Sequence, residues 1–272
     1  MMTNSFYSVL ISLLLTATTA LAQPDGWQPA SASGQGHSHN DYWRPHPLFD
    51  ALALGFKSVE ADVFLTDTTL LVGHERAALR PDRTLETLYL APLRRLGLGR
   101  YSRPAELWLF VDFKTAGPAT YAQLKRVLAR YESILTTPQR PRPAGVRVIL
   151  TGGFPRAEVL ADANRLVFLD GQLPADLRPE LAATIPTVNG DWQTYFRWNG
   201  TGPLPAAEAA RLREWNALAV RTGQTIRFWN LPAASLAQRR AVWQALLAYP
   251  SLLVGADELT ELSQLITESH AK

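Results

Sequence analysis

The chain has 272 residues, of which 47% are hydrophobic and 19% charged, with a formal net charge of +3 and no cysteine. The missing cysteine excludes disulfides, thiolate metal sites and cysteine nucleophiles. A charge this small, with no Lys/Arg run interleaved with aromatics, gives no footprint for nucleic acid, and the expected partner is a small-molecule or lipid substrate met by a monomer.

The first element is the apolar run Val9 to Leu15, too short to span a bilayer. With the small-residue site Ala20-Leu21-Ala22 after it, residues 1–22 read as a signal peptide cleaved after Ala22, although Met1 to Ser8 carries no Lys or Arg. That reading predicts export to a periplasmic or extracellular space. Residues 23–35, rich in Pro, Gly, Ser and Ala, read as a linker, which leaves 36–272 as one folded domain.

Within that domain short apolar runs alternate with helical patterns. Strands are expected near Gly34 to Ser38, at Ser58 to Leu65, briefly at Leu70 to Val72, and at Leu107 to Phe113, Arg147 to Leu150, Leu166 to Leu169, Ile185 to Val188, Gln224 to Trp229 and Leu252 to Val254. Helices are expected at Pro47 to Leu54 (stopping at Gly55), Arg83 to Leu96, Tyr121 to Tyr131, Arg156 to Ala163, Pro205 to Arg221 and Leu236 to Tyr249. Pro138 to Gly145 reads as a loop. Eight main strands, most followed by a helix, predict a single-domain α/β fold, the (β/α)₈ TIM barrel. The alternative, a doubly wound open sheet, finds no G-x-G-x-x-G or Walker motif to support it.

Side chains alternate along a strand. In Ser58 to Leu65, Val59, Ala61 and Val63 share one face and suit packing against outer helices, whereas Glu60 and Asp62 share the face that points into a barrel. Two carboxylates there repel and are costly to desolvate. A hard divalent cation, Mg²⁺ or Ca²⁺, relieves both problems. The strand at Leu107 repeats the device, with Asp112 and Lys114 on one face and Val111 and Phe113 on the other. Asp112 is a third candidate oxygen ligand, and Lys114 places a positive charge beside a substrate anion.

Three of the five histidines, His37, His39 and His46, lie in the stretch GQGHSHNDYWRPHP, and His74 follows. A His-x-His pair at the end of a first strand also fits a binuclear metal hydrolase of the amidohydrolase or PHP type. Such sites need further histidines, and none occurs between Glu75 and Ser269. Histidines not used by metal can serve as general acid and base, and the candidates are His39 and His74. A non-catalytic binding module on a degenerate barrel is the remaining alternative, and it would have lost one of these positions. Gly190 to Gly202, with four aromatics and Arg197, and the residues Trp43, Arg44 and Trp229 are candidates for the mouth or for a lip touching a membrane, or else for ordinary packing.

The ordered set His39-Asn40, Glu60-x-Asp62, Gly73-His74 and Asp112-x-Lys114 resembles the PLC-like phosphodiesterase superfamily, which contains glycerophosphodiester phosphodiesterases and sphingomyelinase D-like enzymes. HSHNDYWR, SVEADV and VGH look most like the branch similar to the altered inheritance of mitochondria protein 6 family. The motif match runs from Gly36 to about Lys114. The resemblance implies a metal-dependent phosphoric diester hydrolase acting on a phospholipid or glycerophosphodiester-type substrate. His39 and His74 would be its acid–base pair, and Glu60, Asp62 and Asp112 would hold one divalent cation. Asn40, Lys114 and Trp229 would contact substrate. His37 stays an alternative to His39, which is preferred because Asn40 follows it directly, and His46 has no matching role. The H-R-G start and E-N-T motif of glycerophosphodiesterases are both missing, which argues against glycerophosphodiester specificity.

Overall fold

The computed structural model describes residues 23–24, 30, 34–97, 106–142 and 145–270. The expected leader over 1–22 and most of the 23–35 linker lie outside these residues. Among the described residues ten strands run in chain order: β1 (Gly36–Ser38), β2 (Ser58–Thr66), β3 (Thr69–Val72), β4 (Leu107–Phe113), β5 (Leu135–Thr136), β6 (Val146–Gly152), β7 (Phe168–Gln172), β8 (Thr187–Asp191), β9 (Thr225–Trp229) and β10 (Leu252–Ala256). Eight of them, all but β3 and β5, form a parallel ring that β1 closes by bonding both β10 and β2, while β5 pairs with β6 off the ring and β3 runs antiparallel to β2. The helices are α1 (Phe49–Ala53), α2 (Ala91–Leu96), α3 (Gly117–Ala129), α4 (Arg156–Ala161), α5 (Trp192–Tyr195), α6 (Ala206–Thr222), α7 (Leu236–Leu247) and α8 (Leu259–His270). The fold is the expected (β/α)₈ barrel.

Several boundaries move, each for a local reason. The first part of the expected Arg83 to Leu96 helix, Glu86–Leu90, winds as wider π turns before α2. Helix α3 starts four residues earlier than Tyr121 because Pro118 fits a first helical turn. Strand β7 slides from Leu166–Leu169 to Phe168–Gln172 and β8 from Ile185–Val188 to Thr187–Asp191, since partner register rather than apolarity sets their ends. Helix α8 and the short α5 were not anticipated.

Alternation along the strands sorts the core into two parts. Val59, Ala61, Val63, Leu109, Val111, Val148 and Leu150 face outward and join the large cluster under the helices. Trp108, Phe110, Ile149, Phe168 and Leu253 carry the inward parity and form a separate apolar cluster. This plug fills the lower barrel, as side-chain layers do in this fold. Polar inward positions then lie nearer the C-terminal ends of the strands, where Asp62, Asp112 and Thr151 sit side by side in register.

The loop after β1 is clipped by Asp41. Its fully buried carboxylate accepts hydrogen bonds from Ser38 Oγ at 2.8 Å and from the Leu48 N–H at 2.6 Å. Leu48 is itself buried, with φ of 70°, a left-handed conformation that a branched aliphatic residue rarely adopts. The clip thus holds a strained turn and fixes the segment that carries His39, Asn40 and Tyr42.

Burial pushes the Asp41 carboxyl up to about 6, against the pull of its hydrogen bonds from Leu48 and Ser38. A carboxyl with a raised folded-state pKa binds more protons folded than unfolded. Its contribution is therefore complete below about pH 4 and is lost as pH rises through 6. Asp41→Asn is expected to make unfolding free energy, measured by urea denaturation, fall less between pH 4 and 6 than it does in the wild type. Equal slopes would contradict the linkage.

Candidate active site

The barrel mouth holds a cavity of about 660 Å³ lined by Glu60, Asp62, Asp112, Lys114, His39 and His74, among others. Neighbouring register on β2 and β4 places Asp62 directly beside Asp112. Glu60, Asp62 and Asp112 each bring a carboxylate oxygen within 4.8 Å of the others. Glu60 and Asp62 are buried and Asp112 half-buried. Gly152, at the end of β6, leaves room for this arrangement, because a Cβ there would lie 2.1 Å from Asp112 Oδ1.

Charge balance bears on what the cluster could hold. Glu60, Asp62, Asp112 and the buried Asp170 share this interior with Arg227 and Lys114. Arg227 reaches Asp170 at 3.1 Å and Glu60 at 3.7 Å. Lys114 Nζ lies 3.2 Å from Asp62 and 3.3 Å from Asp112. Four carboxylates against two cations leave a deficit that one divalent ion would make good, and the donors are the hard oxygens that Mg²⁺ or Ca²⁺ prefers. Burial raises the Asp112 carboxyl to about 6; Lys114 pulls it down, while Asp62 and Glu60 push it further up. Burial would also raise Glu60, yet Arg227 and the His37 hydrogen bond hold it well below the usual carboxylate range.

The histidines divide by environment. His37 is fully buried, with Nδ1 2.7 Å from Ser58 Oγ, Nε2 3.1 Å from Glu60, and its ring edge-on to Phe110. Burial lowers its pKa to about 4, so the ring is neutral. It can donate Nε2–H to Glu60 while Nδ1 accepts from Ser58. His37 thus supports Glu60 from within the barrel, whereas the His39 ring stands at its mouth. His39 extends from the end of β1 and bonds Asp257 at 3.0 Å, with Asn40 Nδ2 3.2 Å away. Burial works against its charged form, but the Asp257 hydrogen bond and the negative field of Glu60 outweigh it, and the pKa is raised. His74 arrives through a hairpin: β3 returns antiparallel along β2, and Gly73 N–H bonds the Asp62 carbonyl. His74 Nδ1 then lies 3.0 Å from Asp62 Oδ2. His46 is exposed in its loop, with Nδ1 3.2 Å from Asp50 Oδ1.

Three functional neighbours escape a reading of sequence. Tyr42 is buried, and its hydroxyl lies 2.6 Å from Asn40 Oδ1, 2.8 Å from Asp62 Oδ2 and 3.3 Å from His74 Nδ1. Arg227 sits inside the barrel; its signal was an arginine on the inward parity of an otherwise apolar strand. Asp257 follows β10 and is also held by Arg44, which bonds the backbone oxygens of Asp257 and His39. The aromatics of Gly190 to Gly202 turn out to be packing. Trp192, Phe196 and Trp198 belong to the outer core, and only Tyr195 of the four reaches the cavity. Trp43 packs edge-on against His74, while Trp229 stands exposed at the rim.

Residues 31–103 match the AIM6-like phosphodiesterase domain. The altered inheritance of mitochondria protein 6 homolog of Arthroderma benhamiae is 30% identical over 82% of this chain and 81% of its own length. Altered inheritance of mitochondria protein 6 of Eremothecium gossypii is 29% identical over 84% of this chain and 68% of its own. In the Saccharomyces cerevisiae protein of that name the match is 32% over 55% of this chain and 48% of its own, so the chain spans about half of that relative. These names overturn the expected export after cleavage near Ala22, because they refer to inheritance of mitochondria and not to secretion. Physically, a short apolar run without a preceding Lys or Arg is too generic to specify an export address.

Asp62 Oδ2 faces Tyr42, His74 and Lys114, which leaves Oδ1 for a cation. Outer-shell partners of this kind are commonly worth 10- to 100-fold in metal affinity. Tyr42→Phe is expected to weaken Mg²⁺ or Ca²⁺ binding by at least about 10-fold by calorimetric titration. Unchanged affinity would leave Tyr42 as packing alone.

Proposed function

The chain belongs to the altered inheritance of mitochondria protein 6 family, a phosphodiesterase-type family, and from that premise we propose that it is a metal-dependent phosphoric diester hydrolase. The observation that carries this reading is one cavity holding the clustered carboxylates of Glu60, Asp62 and Asp112, a lysine and two histidines, each histidine ring leaning on a separate aspartate. The substrate is a phospholipid or glycerophosphodiester-type molecule, and the active form is a monomer. The exposed Trp43 and Trp229 favour peripheral contact with a membrane.

Held by Glu60, Asp62 and Asp112, one Mg²⁺ or Ca²⁺ would polarise a non-bridging phosphate oxygen. Lys114 adds positive charge on the same side. His39, kept protonated by Asp257, gives its proton to the leaving alkoxide. His74 hydrogen-bonds Asp62 through Nδ1, which leaves Nε2 to take a proton from the attacking hydroxyl, whether of water or of the substrate itself. Asn40 stands beside His39 and contacts the substrate, and Trp229 forms its wall. A binuclear histidine site has no support here, since the acidic triad is the one His/Cys/Asp/Glu cluster of metal-binding geometry among the described residues. A non-catalytic module is disfavoured because every position of the constellation is present.

His39→Ala and His74→Ala are each expected to lower kcat by about 10²- to 10⁴-fold while leaving the circular dichroism spectrum intact, and chelation of divalent ions should abolish turnover. The assay pits glycerophosphodiesters, phosphatidylinositol, sphingomyelin and lysophospholipids against one another with Mg²⁺ and with Ca²⁺. Full activity in either variant sinks the acid–base assignment.

Asp257 sets the upper working pH. Removing its negative charge lowers the His39 pKa, so the acid is lost at a lower pH. Asp257→Asn is expected to shift the alkaline limb of the kcat/KM profile towards acid. A limb that stays in place would mean that His39 is not the titrating acid.

A further inference from the structure

A second cavity, of about 160 Å³, meets the first at His39, Arg227 and Trp229. It lies between the segment after β9 and the segment after β10. Leu231, Pro232 and Ala233 form one wall, Ala256 the other, and the buried Trp243 of α7 lies behind them. In TIM barrels the loops after the seventh and eighth strands often bind phosphate. This recess is not equipped for that. Arg239 is taken up by Glu261 at 2.8 Å and Glu258 at 3.7 Å, and Arg44 by Asp257. The charged rim therefore offers an incoming anion more carboxylate than cation.

The division of labour follows from chemistry. Phosphate belongs in the larger cavity, with Lys114 and the carboxylate triad. The smaller recess begins at the His39 ring, beside the bridging oxygen that His39 would protonate. We infer that this recess is a specificity subsite for an uncharged apolar arm of the diester, a short alkyl segment or the first carbons of a lipid chain. Trp229 then separates that arm from the polar one, which lies towards Gln172, Asn189 and Asp191. The inference rests on the catalytic reading above for the placement of the phosphate.

Binding separates the two claims. Alkylphosphonates from methyl to hexyl, titrated against the protein in Mg²⁺ by tryptophan fluorescence, should bind about fourfold tighter for each methylene buried, until the recess is full. Ala233→Trp, at an exposed position of the wall, should reduce that increment towards onefold. 3,3-Dimethylbutylphosphonate, whose arm is uncharged, should bind more tightly than its cationic-armed isostere 2-(trimethylammonio)ethylphosphonate. Affinity that does not change with chain length, an increment that survives Ala233→Trp, no binding of any phosphonate, or equal binding of the cationic isostere each overturns the subsite. In parallel, glycerophosphoalkyl diesters of the same chain lengths are assayed for turnover. If none is cleaved while the binding increment persists, the reaction is wrong and the subsite stands; cleavage with no preference for chain length sinks the subsite alone.

Discussion

A guanidinium buried inside the barrel is the constraint on which the site depends. Arg227 lies between Glu60 and Asp170 and over the Phe110 ring, 5.0 Å from its centroid. Two carboxylates in such a place are tolerable only if paired, since an unpartnered buried charge costs several kcal/mol. With Arg227 present, Glu60 stays ionised despite its burial. His37, neutral and hydrogen-bonded to Ser58, completes the support from the other side. Glu60 is thus charged before any cation arrives, part of the preorganisation that a metal site needs.

Above this layer the architecture separates tasks by strand. Strands β2 and β4 bring the carboxylates together through register alone. The β2–β3 hairpin folds His74 back onto Asp62, and the clipped loop after β1 delivers His39, Asn40 and Tyr42. One tyrosine hydroxyl then ties that loop to Asp62 and to His74. The hydrophobic effect acts mainly elsewhere, in the lower plug and the outer shell. Those layers keep the barrel rigid, while its upper end is left polar.

Much of the fold was legible because it is periodic. Alternating Val59, Ala61 and Val63 against Glu60 and Asp62 marks a strand with one apolar and one acidic face, and the βα rhythm calls for a parallel barrel. Element ends were less legible: β7 and β8 shift along the chain because neighbouring strands fix where hydrogen bonding begins. The aromatic loop at Gly190 to Gly202 stayed ambiguous in the sequence for a related reason. Composition cannot say whether a tryptophan covers a core or faces a cavity, and here Trp192 is almost fully buried.

By itself the sequence determined the barrel, the inward parity of Glu60, Asp62 and Asp112, and the short set of histidines able to act. Parity is a property of consecutive residues, so it survives without knowledge of the fold. Only the tertiary structure decided the partners. His39 meets Asp257 across 218 positions of chain, and Arg227 meets Asp170 across 57. It likewise assigned His37 to the support of Glu60 and left His39 exposed at the mouth. The His39 contact arises where the first strand closes against the last, and no local pattern in the chain encodes that closure.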